Sequence, residues 1–266
     1  MKHSIKNVKE EFLLKLFSLN GHVALVTGGS KGLGKIIADT LSNAGAAVAI
    51  CGRNGIDVRQ TAAEIHNRTG NRVLPFETDV RNQTQVRQMI GNIKAELGAI
   101  DILYANAGIN IRKNSEQLSE NDWDTIMDTN VKSSFLLAQE IIPDMKKKKW
   151  GRIIFMASML SYISIAGRAA YAASKTALLG LTRTLALELA QYQVCVNALC
   201  PGPFATSMNE PLLKDSHKNR QFIEKMPMGR WGHPEELRGI ALLLSSGAGS
   251  YLTGAGIVVD GGWTAQ

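Results

Sequence analysis

Three cysteines in 266 residues, an odd number with no Cys-x-x-Cys pair among them, leave neither a disulfide framework nor a zinc-finger spacing. Cys51 and Cys195 fall in apolar runs and Cys200 lies close behind, which predicts buried free thiols in a reducing compartment, the cytoplasm. No metal site is expected. No run of about 18 apolar residues occurs, so no segment reads as a membrane span. Met1–Asn20 mixes Lys and Glu with one short apolar stretch and lacks the core and cleavage site of a secretory leader, so it reads as an amphipathic lead-in. No repeat, low-complexity tract or linker divides residues 21–266, which read as one domain. Acidic residues are in deficit: 30 Lys and Arg against 23 Asp and Glu give a net charge of +7. The excess is scattered. Its one dense run, Lys146–Lys149, ends a helical pattern, where cations complement the helix dipole. That argues against a nucleic-acid face and for a mild attraction to anionic ligands.

What is present is a regular alternation. Short, nearly continuous apolar runs predict strands at His22–Thr27, Ala46–Cys51, Arg72–Glu77, Ile100–Ala105, Arg152–Ala157, Val194–Leu199 and Gly256–Val259. Helical patterns fill the gaps at Gly34–Asn43, Asp57–Arg68, Thr84–Leu97, Gly167–Gln191 and Pro234–Ser245, with two more in Glu120–Lys149 broken near Asn130. Strand–helix alternation of this kind predicts an α/β fold, a doubly wound parallel sheet of about seven strands with helices on both faces. Right-handed crossovers then bring all strand C-termini to one edge, where ligands bind. The irregular stretch 203–228 follows the sixth strand at that edge and reads as a substrate lid.

Chemistry-bearing residues fall at the same edge. Thr27-Gly28-Gly29-Ser30-Lys31-Gly32-Leu33-Gly34 joins a strand to a helix, and its glycines let backbone N–H groups approach a diphosphate. After the second strand, Gly52 stands where an acidic residue would bind an NAD ribose, and Arg53-Asn54 follow. Arg53, with Lys31 nearby, suits the 2′-phosphate of NADP(H), while NAD(H) stays possible. Asp79-Val80 follow the third strand, and Asp79 could accept a bond from an adenine amino group. Asn106-Ala107-Gly108 follow the fourth, where small residues let a flat cofactor pass. Tyr171 and Lys175 are four apart in a helical segment, hence on one face. A cation beside a phenol lowers the phenol's pKa, and such a tyrosine can exchange a proton with an alcohol or carbonyl.

In combination and order, Thr-Gly-x-x-x-Gly-x-Gly at 27–34, Asn-Ala-Gly at 106–108, Asn130, Ser158, Tyr-x-x-x-Lys at 171–175 and Pro201-Gly202 resemble the classical short-chain dehydrogenase/reductase family, from about Gly21 to Trp263. Ala105 departs from the second asparagine common there. The resemblance implies an oxidoreductase with a tetrad of Asn130, Ser158, Tyr171 and Lys175. Tyr171 would be the general acid or base, and Lys175 would lower its pKa and bond the nicotinamide ribose. Ser158 would hold the substrate oxygen, and Asn130 would position a water linking Lys175 to solvent. Pro201, Gly202 and Thr206 would border the cofactor, Thr206 near its carboxamide. The resemblance also implies a homotetramer, in which the leucine-rich helix around Leu178–Leu189 packs on its copy.

Asn106–Arg112, Trp123-Asp124, Ser158-Met159, Pro201–Phe204, Gly229–Gly232 and Asp260–Trp263 are similar to the gluconate 5-dehydrogenase and 2-deoxygluconate 3-dehydrogenase branch. The implied substrate is a sugar acid or polyol, its carboxylate met by Arg112, with Ser158, Tyr171 and Phe204 around it. That branch often has two adjacent arginines where this chain has Ile111-Arg112. A 3-oxoacyl-carrier-protein reductase and a non-catalytic NADP(H)-binding sensor are the alternatives.

Overall fold

A computed structural model describes residues 11–266. Seven parallel strands, β1 (Val23–Thr27), β2 (Ala47–Gly52), β3 (Val73–Glu77), β4 (Ile102–Ala105), β5 (Gly151–Met156), β6 (Val194–Pro201) and β7 (Gly256–Val259), form one sheet ordered β3-β2-β1-β4-β5-β6-β7. The crossovers are α1 (Gly32–Asn43), α2 (Gly55–Thr69), α3 (Gln83–Glu96), the pair α4 (Glu120–Met127) and α5 (Ser133–Lys148), and α6 (Ala169–Leu189). Beyond β6 come α7 (Glu210–Leu213), α8 (Ser216–Glu224) and α9 (Arg238–Ser245). The strand order reverses between β1 and β4, which opens a crevice at the C-terminal edge.

Both sheet faces are covered, which explains the continuous apolar strands. Leu25, Leu103, Ile153 and Val196 pack with Ile93, Leu137 and Leu178 on one face. Val26, Tyr104, Ile154 and Leu199 pack with Ile37, Leu41 and Leu244 on the other. Helix starts follow local chemistry. Asn54 caps α2, Asn82 caps α3, and Ser119 forms a capping box with Asp122 at α4.

Four expectations are corrected. The chain near Asn130 is not a break: α4 runs into α5 through a π-helical turn, Asp128–Lys132. Segment 203–228 is not irregular throughout, since it holds α7 and α8, and Pro234 opens a 3-10 turn (Pro234–Leu237) ahead of α9. The lysine run is not wholly solvated, since Lys148 Nζ lies 2.6 Å from the buried Asp101 carboxylate at the N-terminal end of the sheet. Burial alone would raise the Asp101 carboxyl, but the His22 ring 3.4 Å away and the hydrogen bonds from Lys148 Nζ and the Val23 N–H outweigh it and hold the pKa below the ordinary value. All three cysteines are free and buried. Of the lead-in, residues 1–10 lie outside the described residues, 11–17 are helical, and Leu19 is fully buried in the core. No helix among the described residues is long and apolar enough to cross a membrane.

Candidate active site

The C-terminal edge holds a cavity of about 660 Å³. It is lined by every candidate site residue named from the sequence except Asn130. Its two ends differ in chemistry.

At the nucleotide end, the loop 28–34 turns sharply from β1 into α1. Gly28 sits at φ 63° and Gly32 at φ 55°, the left-handed region that favours glycine. A Cβ on Gly34 would drive into the Gly28 carbonyl oxygen and come within 2.5 Å of Asn106 Nδ2. Gly34→Ala is therefore expected to distort the loop and weaken dinucleotide affinity at least tenfold, measured by calorimetry on the purified chain. Thr27, which the sequence reading passed over, ties the loop to its neighbour: its hydroxyl accepts from the N–H groups of Asn106 and Ala107, both at 3.0 Å. Asn106 Nδ2 donates to Thr27 O at 2.8 Å and to Gly28 O at 3.3 Å. Asn106 thus clamps the loop with its side chain instead of offering it to a ligand. No side chain caps α1 and no acid sits in its first turn, so its first N–H groups face the cavity free to meet a phosphate.

Lys31, Arg53 and Asn54 line this end with Val80, and Lys31 and Arg53 are exposed. Neither cation takes part in an ion pair among the described residues. Asp79 is held by Arg81, whose Nη2 lies 2.6 Å from Oδ2. A dinucleotide's diphosphate, ribose and 2′-substituent would find matching donors here, so the residues present fit such a group.

The catalytic candidates meet at the middle of the cavity. Ser158, just past β5, accepts from Leu160 N at 3.1 Å, which leaves its own proton free to donate. Tyr171 and Lys175 project from the first turns of α6. Lys175 Nζ stands 5.6 Å from the Tyr171 ring centroid and donates to Met156 O at 2.6 Å. Burial pushes the Lys175 ammonium down from 10.5 to about 8. Burial likewise raises the Tyr171 phenol above its ordinary value. The Ser158 hydroxyl beside it, then the charges of Arg168 and Arg112, oppose that rise without cancelling it. Lys175 does not offset that rise here: its ammonium is bonded to a backbone carbonyl, and desolvation dominates. Asn130 lies in the π-helical turn, its Oδ1 accepting from Ile109 N at 2.9 Å and its Nδ2 donating to Ile109 O at 3.0 Å and Ser174 Oγ at 2.9 Å. A Cβ on Gly108 would lie 3.3 Å from both Asn130 Oδ1 and Lys175 Nζ, so a side chain there would crowd both.

The other end is part apolar and part cationic. Met159, Leu160, Leu212 and Trp231 form a buried wall, with Phe222 stacked on Trp231 at 5.5 Å between ring centroids. Phe204 is buried against Gly232. Arg112 Nη2 donates to Met208 O and to Asn209 Oδ1, both at 3.2 Å, and so reaches across to the segment 203–228. Arg168 donates to Gly167 O at 3.1 Å. Burial lowers both guanidinium pKa values, and Arg112 lowers that of Arg168 further. The carboxylates lining the cavity are Asp57 and Asp79, both at the nucleotide end. The apolar wall was missed in the sequence because its members come from separate segments with no common period.

A parallel sheet ordered 3-2-1-4-5-6-7 with a glycine-rich turn and a Ser, Tyr and Lys around one cavity defines a nucleotide-dependent oxidoreductase. The family model described as short chain dehydrogenase matches residues 22–217, and the chain belongs to that family of NAD(P)-binding enzymes acting on CH–OH groups. It is 38% identical over 255 residues to the 2-dehydro-3-deoxy-D-gluconate 5-dehydrogenase of Dickeya dadantii (strain 3937), covering 96% of this chain and 100% of that one. It is 36% identical to the 3-oxoacyl-[acyl-carrier-protein] reductase of Aquifex aeolicus (strain VF5), covering 92% and 98%. A crystal structure of a gluconate 5-dehydrogenase from Burkholderia cenocepacia J2315, in complex with NADP and tartrate, superposes with a TM-score of 0.91 at 35% identity, covering 96% and 99%.

Proposed function

We propose that the protein interconverts a secondary alcohol and a ketone on a small hydroxy acid of the gluconate class, with NADP(H) favoured. The observation that carries the acid is the pair Arg112 and Arg168. Both are partly buried, both bear on Tyr171, and neither meets a carboxylate among the described residues. Cations so placed are most stable when a ligand brings the missing anion. The gluconate dehydrogenase similarities support the same substrate class.

Bound nicotinamide would supply the hydride donor or acceptor. Ser158 donates its free proton to the substrate oxygen and fixes it beside Tyr171. Tyr171, kept protonated by burial, gives its proton to that oxygen in reduction and recovers it in oxidation. Lys175 bears on the phenol and on the ribose side of the cavity, and Asn130 braces the Ile109 and Ser174 positions around it. Segment 203–228 acts as the lid, latched by Arg112 through Met208 and Asn209. The three free thiols suit the cytoplasm. A homotetramer fits Leu187 on α6, which is 83% exposed, as well as the exposed Phe135 on α5 and Trp123 on α4.

Arg168→Gln tests the acid. It is expected to raise KM for carboxylated substrates by about 10- to 100-fold, the value of a charge-assisted pair. Neutral polyols should lose far less. An equal loss for both would remove the anion from the reading. The apolar wall of Met159, Leu160, Leu212 and Trp231 favours a second reading, reduction of a 3-oxoacyl thioester, which the Aquifex aeolicus similarity also supports. Preference for the thioester over every free acid would select it.

A further inference from the structure

Arg81 has no part in the chemistry above, yet it lines the nucleotide end of the cavity beside Asp79, Arg53, Lys31 and Asp57. It is tied to one partner only. Its Nε lies 3.1 Å from both Asp79 oxygens and its Nη2 lies 2.6 Å from Oδ2, while its backbone N–H donates to Oδ1 at 3.0 Å. The Asp79 backbone N–H is anchored in turn by Gln85 Oε1 at 2.9 Å. Both of the carboxylate's oxygens are therefore engaged by Arg81. Arg53 lies close enough for its charge to act on Asp79 as well. The carboxylate thus has two cations within reach, and the fork of Arg81 holds it.

We propose that Arg81 is a positioning residue for cofactor choice: by occupying the Asp79 carboxylate it leaves Arg53, with Lys31, free to receive the 2′-phosphate of NADP(H). This rests on the NADP(H) reading of the site. Without Arg81, Asp79 would be an unpaired carboxylate beside an unpaired guanidinium, and the two would close on each other. Arg53 would then be neutralised, and a second negative group would stand next to an incoming phosphate. Asp57, in the first turn of α2, faces the same space and would add to that repulsion. Of the surrounding groups, Asp128 also acts on Arg81, but Asp128 pairs with Lys132 at 3.2 Å and does not compete for the fork. The loss falls on the phosphate and not on the rest of the nucleotide, which makes the ratio of two affinities the readout.

Calorimetry on the full chain with 2′-phospho-ADP-ribose and with ADP-ribose measures that ratio with no turnover required. The wild-type chain is expected to bind the phosphorylated ligand at least tenfold more tightly. Arg81→Gln is expected to reduce the ratio five- to tenfold. Arg81→Lys, which keeps the charge and loses the fork, should fall between. Asp79→Asn in the Arg81→Gln background removes the competing carboxylate and should restore the ratio. A wild-type ratio near one overturns the NADP(H) reading and the proposal with it. A high wild-type ratio that Arg81→Gln leaves intact overturns the proposal alone. So does an equal loss for both ligands, which would assign Arg81 to the shape of the loop, and so does a ratio that the double variant fails to restore.

Discussion

Tyr171→Phe is expected to lower turnover by at least 100-fold, within the range for loss of a general acid, while dinucleotide affinity stays within about threefold. The phenol stands beside Ser158 at the centre of the cavity, placed to pass a proton to a substrate oxygen that Ser158 fixes, whereas the Lys175 ammonium is held by Met156 O. Ser158 can hold that oxygen with its free proton, but an aliphatic hydroxyl is far too weak an acid to give the proton up, so it does not replace the phenol. The pH dependence follows from the sign of the shift. Burial raises the Tyr171 pKa, so the neutral phenol predominates at neutral pH. Reduction, which needs the acid, should be flat across neutral pH. Oxidation, which needs the base, should climb as pH rises toward the phenol's pKa. Steady-state rates in both directions over a pH series check this. Retained turnover in the phenylalanine variant would move the proton to another group, and lost cofactor binding would make the residue structural. The same variant also separates an enzyme from a pure NADP(H)-binding protein.

Lys175→Met is expected to do two opposite things: cut turnover at least 100-fold and raise stability by about 2 kcal/mol at neutral pH. Lys175 is 3% exposed and its pKa is pushed down to about 8 by burial. A lysine with a depressed folded pKa is a stability cost that is fully present below the folded value. Between about 8 and 10.5 the unfolded chain holds the proton and the folded chain does not, so wild-type stability rises with pH across that window. The advantage of the methionine variant should therefore be largest below pH 8 and shrink above it. The lost hydrogen bond to Met156 O offsets about 1 kcal/mol of the gain. Denaturant melts of both chains at several pH values read this directly. A methionine variant less stable than wild type at pH 7 would mean that the ammonium is better solvated than its burial indicates. Stability held in reserve against a catalytic charge is a common feature of active sites.

Much of the architecture was legible because its signals are local. A parallel sheet covered on both faces needs short apolar strands, and all seven appeared as such within a few residues of their ends. The glycine loop, Ser158, Tyr171 and Lys175 were legible because their spacing is fixed by a turn, a strand end and a helical period. What escaped depends on three-dimensional partners. The Asn130 region looked like a helix break because asparagine is a poor helix former. Its side chain instead bonds Ile109 and Ser174, which stabilises a π-helical turn. Thr27 looked like a strand end, and its splice to Asn106 and Ala107 joins residues about eighty positions apart. The sequence placed Lys175 on the face of Tyr171, but it could not show that the ammonium would bond Met156 O while burial set both pKa values. Arg168 reads in the sequence only as a charge near the Ser158–Tyr171 loop, and the structure puts it on the cavity that Arg112 also lines, close enough for the two charges to act on each other.

The most direct test of the central claim is the appearance of reduced nicotinamide when the purified enzyme meets NADP⁺ or NAD⁺ with a matched panel. The panel pairs gluconate and related hydroxy acids with polyols of the same length and with 3-hydroxyacyl thioesters. The account predicts faster turnover of the acids than of the polyols, with NADP⁺ the better acceptor. Turnover confined to polyols or to thioesters would contradict it, since the Arg112 and Arg168 pair would then have no anion to meet.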